Sequence, residues 1–408
     1  MKRFILTEHC RRLLIVAAVV TILLGGCAGY QPLPLSHSVK LAPNVDQLAT
    51  LGAARDINPL DGLNLTEVAI FAVSNNPDLK AQRKQLGIKR AELFSAGLLP
   101  DPQLSANLDY PTGSVPGTVN AFGIGLGYDI VPLINRGARV DSAQQAEQQV
   151  RLKLLWQEWQ VSQRARSLAV QLAGERQQFA LLQEMKDLYQ KRYQRSRKAV
   201  TRGDLTLGVA GTDLTALLDT LSQINQLEQS SNDTRHELNL MIGLAPDAPL
   251  EIRLPPLPML PMVQELSRNL QTLPQRRPDM LALQAGYRSQ EANVRAAILS
   301  QFPSLSIGIT RARDTSNVYT TGFNIGLNLP LFSGNRGAIA VERATREQLR
   351  EEYQARLDQA MVDVDRLIRL QGIVAAQQKQ LNEYLPTLEE LVDRGREAYR
   401  NGDIDALT

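Results

Sequence analysis

Over residues 103–110 the chain alternates, one residue at a time, between apolar side chains and small or polar ones. Leu104, Ala106, Leu108 and Tyr110 fall on one side; Gln103, Ser105, Asn107 and Asp109 fall on the other. The stretch "FGIGLGYDI" repeats the pattern with Phe122, Ile124, Leu126 and Tyr128 against Gly123, Gly125, Gly127 and Asp129. Period two places neighbours on opposite faces of a strand, so residues 103–110 and 122–131 are predicted strands with one greasy face and one nearly bare face. Residues 304–310 and 323–331 alternate likewise, the last with Phe323, Ile325 and Leu327 against Asn324, Gly326 and Asn328. Around these hairpins lie long runs rich in Ala, Leu, Gln, Glu and Arg, which predict helices over 65–97, 136–200, 205–241, up to Leu299, and 337–400. Pro100, Gly203 and Gly243 mark helix ends.

These elements occur twice. "NPDLKAQRKQLGIKRAELFSAGLLPDPQLSANL" from Asn76 matches "RPDMLALQAGYRSQEANVRAAILSQFPSLSIGI" from Arg277. "FGIGLGYDIVPLINRGA" matches "FNIGLNLPLFSGNRGA", and "AVTRGDLTL" from Ala199 matches "AYRNGDIDA" from Ala398. Three blocks in the same order, each offset by about 200 residues, predict an internal duplication. Between them, residues 245–261 contain prolines that forbid a helix and predict an extended strap. A helix of 136–200 would be roughly 100 Å long at ~1.5 Å per residue. The shorter helices on either side, placed end to end, would run alongside it, leaving a hairpin at one pole and a Gly-Asp turn at the other.

Two environments suit such strands. A small sheet could lie on protein with its polar face in water, or the apolar face could meet lipid while the small polar face lines water. Four strands cannot close a channel, so the second reading needs several chains. The N-terminus bears on the choice. Lys2, Arg3, Arg11 and Arg12 precede or open an apolar run over 13–24, too short for a stable span, and "LLGGC" then places small residues before Cys27. This resembles a bacterial lipoprotein signal, with residues 1–26 removed and Cys27 lipidated; Ala28 after it favours the outer membrane. The leader carries the whole formal net charge of +3, and it removes Cys10, so no internal disulfide is expected.

Composition narrows the class further. Charged residues make up 21% and hydrophobic residues 43%, which permits a core and excludes disorder, while the charges intermix rather than form a face for nucleic acid. No catalytic, metal or cofactor motif is present. His37 and His236 are far apart, and the glycines of 123–127 sit within a strand pattern rather than in a dinucleotide loop.

The duplicated layout, "NPDL", "GLLPDPQL", strands followed by "NRG", and the Gly-Asp turns resemble the TolC family of outer-membrane efflux proteins, over about residues 60 to 408. Its lipidated members are exit ducts of resistance–nodulation–division pumps. The resemblance implies a mainly α chain with membrane β-hairpins. It implies a homotrimer with a helical barrel in the periplasm and a twelve-stranded β-barrel in the outer membrane. Phe122, Ile124, Leu126, Tyr128, Phe323, Ile325 and Leu327 would face outer-membrane lipid; Gly123, Gly125, Gly127, Asn324, Gly326 and Asn328 would face the lumen. The turns Arg202, Gly203, Asp204, Leu205 and Asn401, Gly402, Asp403, Ile404 would meet a periplasmic adaptor bound to an inner-membrane pump. Gly supports a left-handed turn residue and Asp can cap the following helix. The basic run Lys191, Arg192, Arg195, Arg197, Lys198 and Arg202 reads as a solvated helix face that could also steer an acidic partner.

The expected organisation is a signal peptide (1–26), a lipid-anchored extension (27–62), a first repeat (63–244), a Pro-rich linker (245–261) and a second repeat (262–408). The last helix of the family pattern is expected to be missing from the second repeat. The competing reading is a lipid-anchored coiled-coil scaffold without a channel. A lipidated periplasmic adaptor would leave the four alternating strands unexplained.

Overall fold

The computed structural model describes residues 29–49, 62–112, 116–254 and 263–402, with backbone only over 263–269. Cys27, Asp403, Ile404 and residues 255–261 of the strap lie outside the described residues. The chain divides into two units, Met1–Lys40 and Leu41–Thr408. In the first, residues 29–40 are exposed and form neither helix nor strand.

In the second unit the order is α1 (Leu65–Asn75), α2 (Pro77–Gly97), β1 (Gln103–Asp109), β2 (Ala121–Asp129), α3 (Val131–Arg202) and α4 (Leu207–Ile242). It continues with α5 (Val263–Arg276), α6 (Pro278–Leu299), β3 (Ser304–Arg313), β4 (Tyr319–Asn328) and α7 (Arg336–Asn401). The helix expected over 65–97 is therefore two. Pro77 cannot donate to the preceding turn and pushes Asn76 into an extended conformation, and the Asn76 side chain then caps α2 by accepting from Leu79 N at 3.0 Å. Pro278 breaks the second repeat at the equivalent place. Upstream, Asn64 and Glu67 form a reciprocal capping box that starts α1.

α3 has 72 residues and spans roughly 108 Å at ~1.5 Å per residue. It begins at Val131 rather than near 136, because Pro132 is harmless in a first turn and Asp129 accepts from Val131 N at 3.0 Å. α1, α2 and α4 from its own repeat and α6 from the other all pack along it, and α7 packs on α6. The core lies midway along α3. Ala165, Leu168, Ala169 and Leu172 cluster with Val68, Phe71 and Ala72 of α1, Leu238 and Ile242 of α4, Leu244 just after it, and Ala248 and Leu250 of the strap.

The described part of the strap begins with a turn, Ala248 N donating to Ala245 O at 3.1 Å, and is bonded to the helices beside it. Asn239, fully buried, donates to the carbonyls of Ala245, Pro246 and Ala248, and Arg176 donates to Leu250 O at 2.6 Å. Leu63 N and Leu63 O pair with Glu251 and Arg253. Ala42 pairs in the same way with Gly243 and Ala245.

All four strands join in one antiparallel sheet of order β1-β2-β3-β4, so the two hairpins are neighbours through β2 and β3. β3 and β4 reach further toward their connecting turn than the apolar alternation predicted, adding 311–313 and 319–322. Among the described residues, no helix is long and apolar enough to cross a membrane.

Candidate functional site

The register decides the two faces of the sheet. Residues directly opposite one another on paired strands share a face. Leu104, Leu126, Ile309 and Phe323 form one row across all four strands; Tyr128, Ile307 and Ile325 form the next, and Leu305 and Leu327 the next. This apolar face is open: Phe323 is 91% exposed and Ile325 74%. Such a face, left uncovered within the chain, is far beyond the scattered apolar residues of an ordinary surface.

The opposite face is small and polar. Ser105, Gly125 and Thr310 form one row, and Gly308 and Asn324 belong to the next. The glycines have a steric cause. A Cβ on Gly125 would come within 2.7 Å of Ser105 Oγ. One on Gly308 would meet Asn324 Oδ1 at 2.5 Å and Leu126 O at 2.9 Å. Short polar side chains thus lie over glycines of the adjacent strand, and this face keeps an open depression of about 380 Å³.

The junction to the helices explains the repeated "NRG". Arg136 donates to Gly97 O with both Nε (2.9 Å) and Nη2 (2.6 Å), placing a cation on the carbonyl end of α2. Asn135 reaches Ser300 Oγ at 2.8 Å, and Asn335 reaches Ala297 O at 2.8 Å, both at the end of α6.

At the far end of α3, Gly203 adopts φ 85° and closes the helix through Gly203 N to Val200 O and Asp204 N to Ala199 O. Gly402 repeats this with φ 80° after Tyr399. The expected cap by Asp204 is corrected here: the cap position of α4 is Thr206, three residues past the glycine, and no side chain bonds the first turn. Of the basic run, Arg192 pairs with the buried Asp213 at 2.7 Å. Lys191, Arg195, Arg197, Lys198 and Arg202 are exposed and have no ion pair among the described residues.

Two polar sites were not anticipated. Asp279, in the first turn of α6, accepts from Arg277 Nε at 2.8 Å and from Arg356 Nε of α7 at 2.7 Å. Both guanidiniums lie over Trp156 of α3, at 4.6 and 5.9 Å. The signal was available in the repeat itself, where Arg277 replaces the capping Asn76. Between α3 and α4, Glu175 Oε1 collects Gln171, Ser230 and Thr234. His236 lies on α4 with Nδ1 at 2.7 Å from Asn232 O. No group of metal-ligating residues occurs among the described residues.

Residues 269–408 match the family described as outer membrane efflux protein. The match covers about a third of the chain. Elsewhere the likeness is distant. A segment of 198 residues is 22% identical to the probable outer membrane lipoprotein SilC of Salmonella typhimurium, covering 46% of this chain and 43% of that protein, so the match spans less than half of the relative. The fold is shared along nearly the whole chain. CusC, solved for its folding and transmembrane channel formation, superposes with a TM-score of 0.65 at 18% identity over 91% of this chain and 90% of its own. A membrane protein of Pseudomonas aeruginosa gives 0.69 at 16% identity over 93% and 91%. The mainly helical architecture with two hairpins is the fold of these solved structures.

Proposed function

We propose that this chain is the outer-membrane conduit of a tripartite export system, assembled as a homotrimer, with residues 63–244 and 262–408 as its two repeats. The observation that carries it is the sheet: an uncovered apolar face on one side and a glycine-lined polar face on the other. β1 and β4 each leave an unpaired edge within the chain, and exposed edges demand partners. Joining β4 of one copy to β1 of the next satisfies all edges, and three copies of a four-stranded sheet give a twelve-stranded barrel wide enough for a lumen. The apolar rows from Leu104 to Leu327 then face lipid. The row glycines, Asn324 and Asn328 face water.

The helices support the same assembly. The second half of α7 is exposed, and Leu381, Tyr384, Leu385, Leu388, Leu391 and Val392 recur along it at helical spacing, a stripe suited to burial by a neighbouring helix. In the conduit reading α3 and α7 build a periplasmic tube, Cys27 anchors the chain by lipid, and the tips at 202–205 and 401–404 dock an adaptor that links to an inner-membrane pump. The five cations beside the first tip that form no ion pair among the described residues would favour an acidic adaptor surface. Solute passes down its gradient; the pump supplies the energy, and lumen width and charge set a weak selectivity.

Cysteine accessibility in intact membranes tests this reading. Asn324→Cys should react with a membrane-impermeant maleimide, and Ile325→Cys should not. Equal labelling of both would place the sheet outside lipid and favour the tethered scaffold.

A further inference from the structure

The apolar face of the sheet changes character toward the hairpin turns. Along β3 the outward series runs Leu305, Ile307, Ile309, Arg311, Arg313, so two cations end an otherwise apolar stripe. The register puts them on the greasy side. Arg311 lies opposite Ile124 and Thr321, and Arg313 lies opposite Phe122 and Tyr319. Arg313 is held in place. Its guanidinium sits over Phe122 at 5.3 Å and Tyr319 at 5.9 Å, and Nη2 donates to Asn120 O at 2.7 Å. Its Nε is shielded from solvent and has no acceptor. Arg311 is exposed, and neither arginine has a carboxylate within ion-pair distance among the described residues.

A cation on a lipid-facing strand is costly at mid-membrane and nearly free at the interface, so these arginines mark a membrane boundary. Phe122 and Tyr319 lie at the same end, as does Tyr110 directly after β1, where barrels carry aromatic girdles. Two guanidiniums two residues apart on one strand face are about 7 Å apart along the strand and sit just above the acyl region. Guanidinium recognises phosphate through paired, charge-assisted bonds.

We infer that Arg311 and Arg313 form a binding site for a lipid headgroup bearing phosphomonoesters in the leaflet on the hairpin-turn side, with the acyl chains lying on Ile309, Leu126 and Phe323. This rests on the conduit reading, which sets that face in lipid.

The test uses the full-length protein in phosphatidylcholine nanodiscs doped with diphosphorylated lipid A or with its dephosphorylated form. Lipid retention is read by native mass spectrometry, and insertion is read by co-purification with the discs. Wild type should retain the diphosphorylated lipid preferentially. Arg311→Gln with Arg313→Gln should weaken apparent affinity by at least about tenfold, the loss of one charge-assisted bond, without lowering insertion. Arg311→Gln alone, at an exposed side chain, should give part of that loss. Insertion with equal retention of both lipids, or retention indifferent to the two substitutions, overturns the site and leaves the conduit standing. Failure of wild type to insert overturns both.

Discussion

Asp279→Asn is the most informative single substitution. The carboxylate is 10% exposed and serves two guanidiniums, one on each oxygen, of which Arg277 is 17% exposed and Arg356 33%. A bond to a charged group contributes about 1.5–3 kcal/mol, and stranding a buried charge costs about 3–5 kcal/mol. Asn keeps one acceptor oxygen, which can serve one arginine, and turns an amide NH2 toward the other. Solvent reaches Arg356, which reduces that part of the loss. The first-turn dipole contribution, about 0.3–1 kcal/mol, is also lost. Together these place the cost at about 2–4 kcal/mol. Because the site ties α6 and α7 to Trp156 of α3, the loss should appear as local opening. Hydrogen exchange of amides at 278–290 and 350–360 should accelerate at least about thirtyfold, since each tenfold corresponds to about 1.4 kcal/mol. Asp365→Asn, which breaks the exposed pair with Arg369 in α7, should leave exchange unchanged. Adding Arg356→Met to Asp279→Asn should recover much of the protection by removing the stranded cation. Equal exchange in Asp279→Asn and Asp365→Asn would refute the reasoning.

The remaining predictions use other elements. Gly243→Ala forces a Cβ at φ 81° to within 2.8 Å of Asn75 Cβ, whereas Gly203→Ala at φ 85° meets open space. The first should destabilise by about 2–5 kcal/mol and the second by about 1–2 kcal/mol, read by denaturation in detergent. Gly308→Val would drive a side chain against Leu126 O, a backbone atom that cannot rotate away, and should lower the yield of heat-resistant oligomer on gels. On the conduit reading, Cys27→Ser should leave the protein in the membrane fraction after an alkaline wash, because a barrel would hold it there without the lipid.

Much of the architecture was legible because both periodicities are simple. Alternation exposed the strands, and the offset between the two "NRG" sites exposed the duplication. What escaped had local or long-range causes. The breaks at Pro77 and Pro278 were hidden by apolar periodicity that continues across them, although the prolines fix the preceding residue. The end of β3 and the start of β4 were missed because Arg311, Arg313 and Thr321 interrupt the apolar series while the ladder continues. The packing of α3 against α6, from opposite repeats, is set by a sequence separation no local pattern encodes. Asp279 looked like a duplicate of Asp78, yet only Asp279 turns toward two arginines and a tryptophan.

The most direct test of the conduit is single-channel recording in a planar bilayer, with the oligomer mass determined on the same detergent-purified sample. The account predicts a trimer with stable conductance steps. A well-folded protein that stays monomeric in the bilayer preparation and passes no current would contradict it.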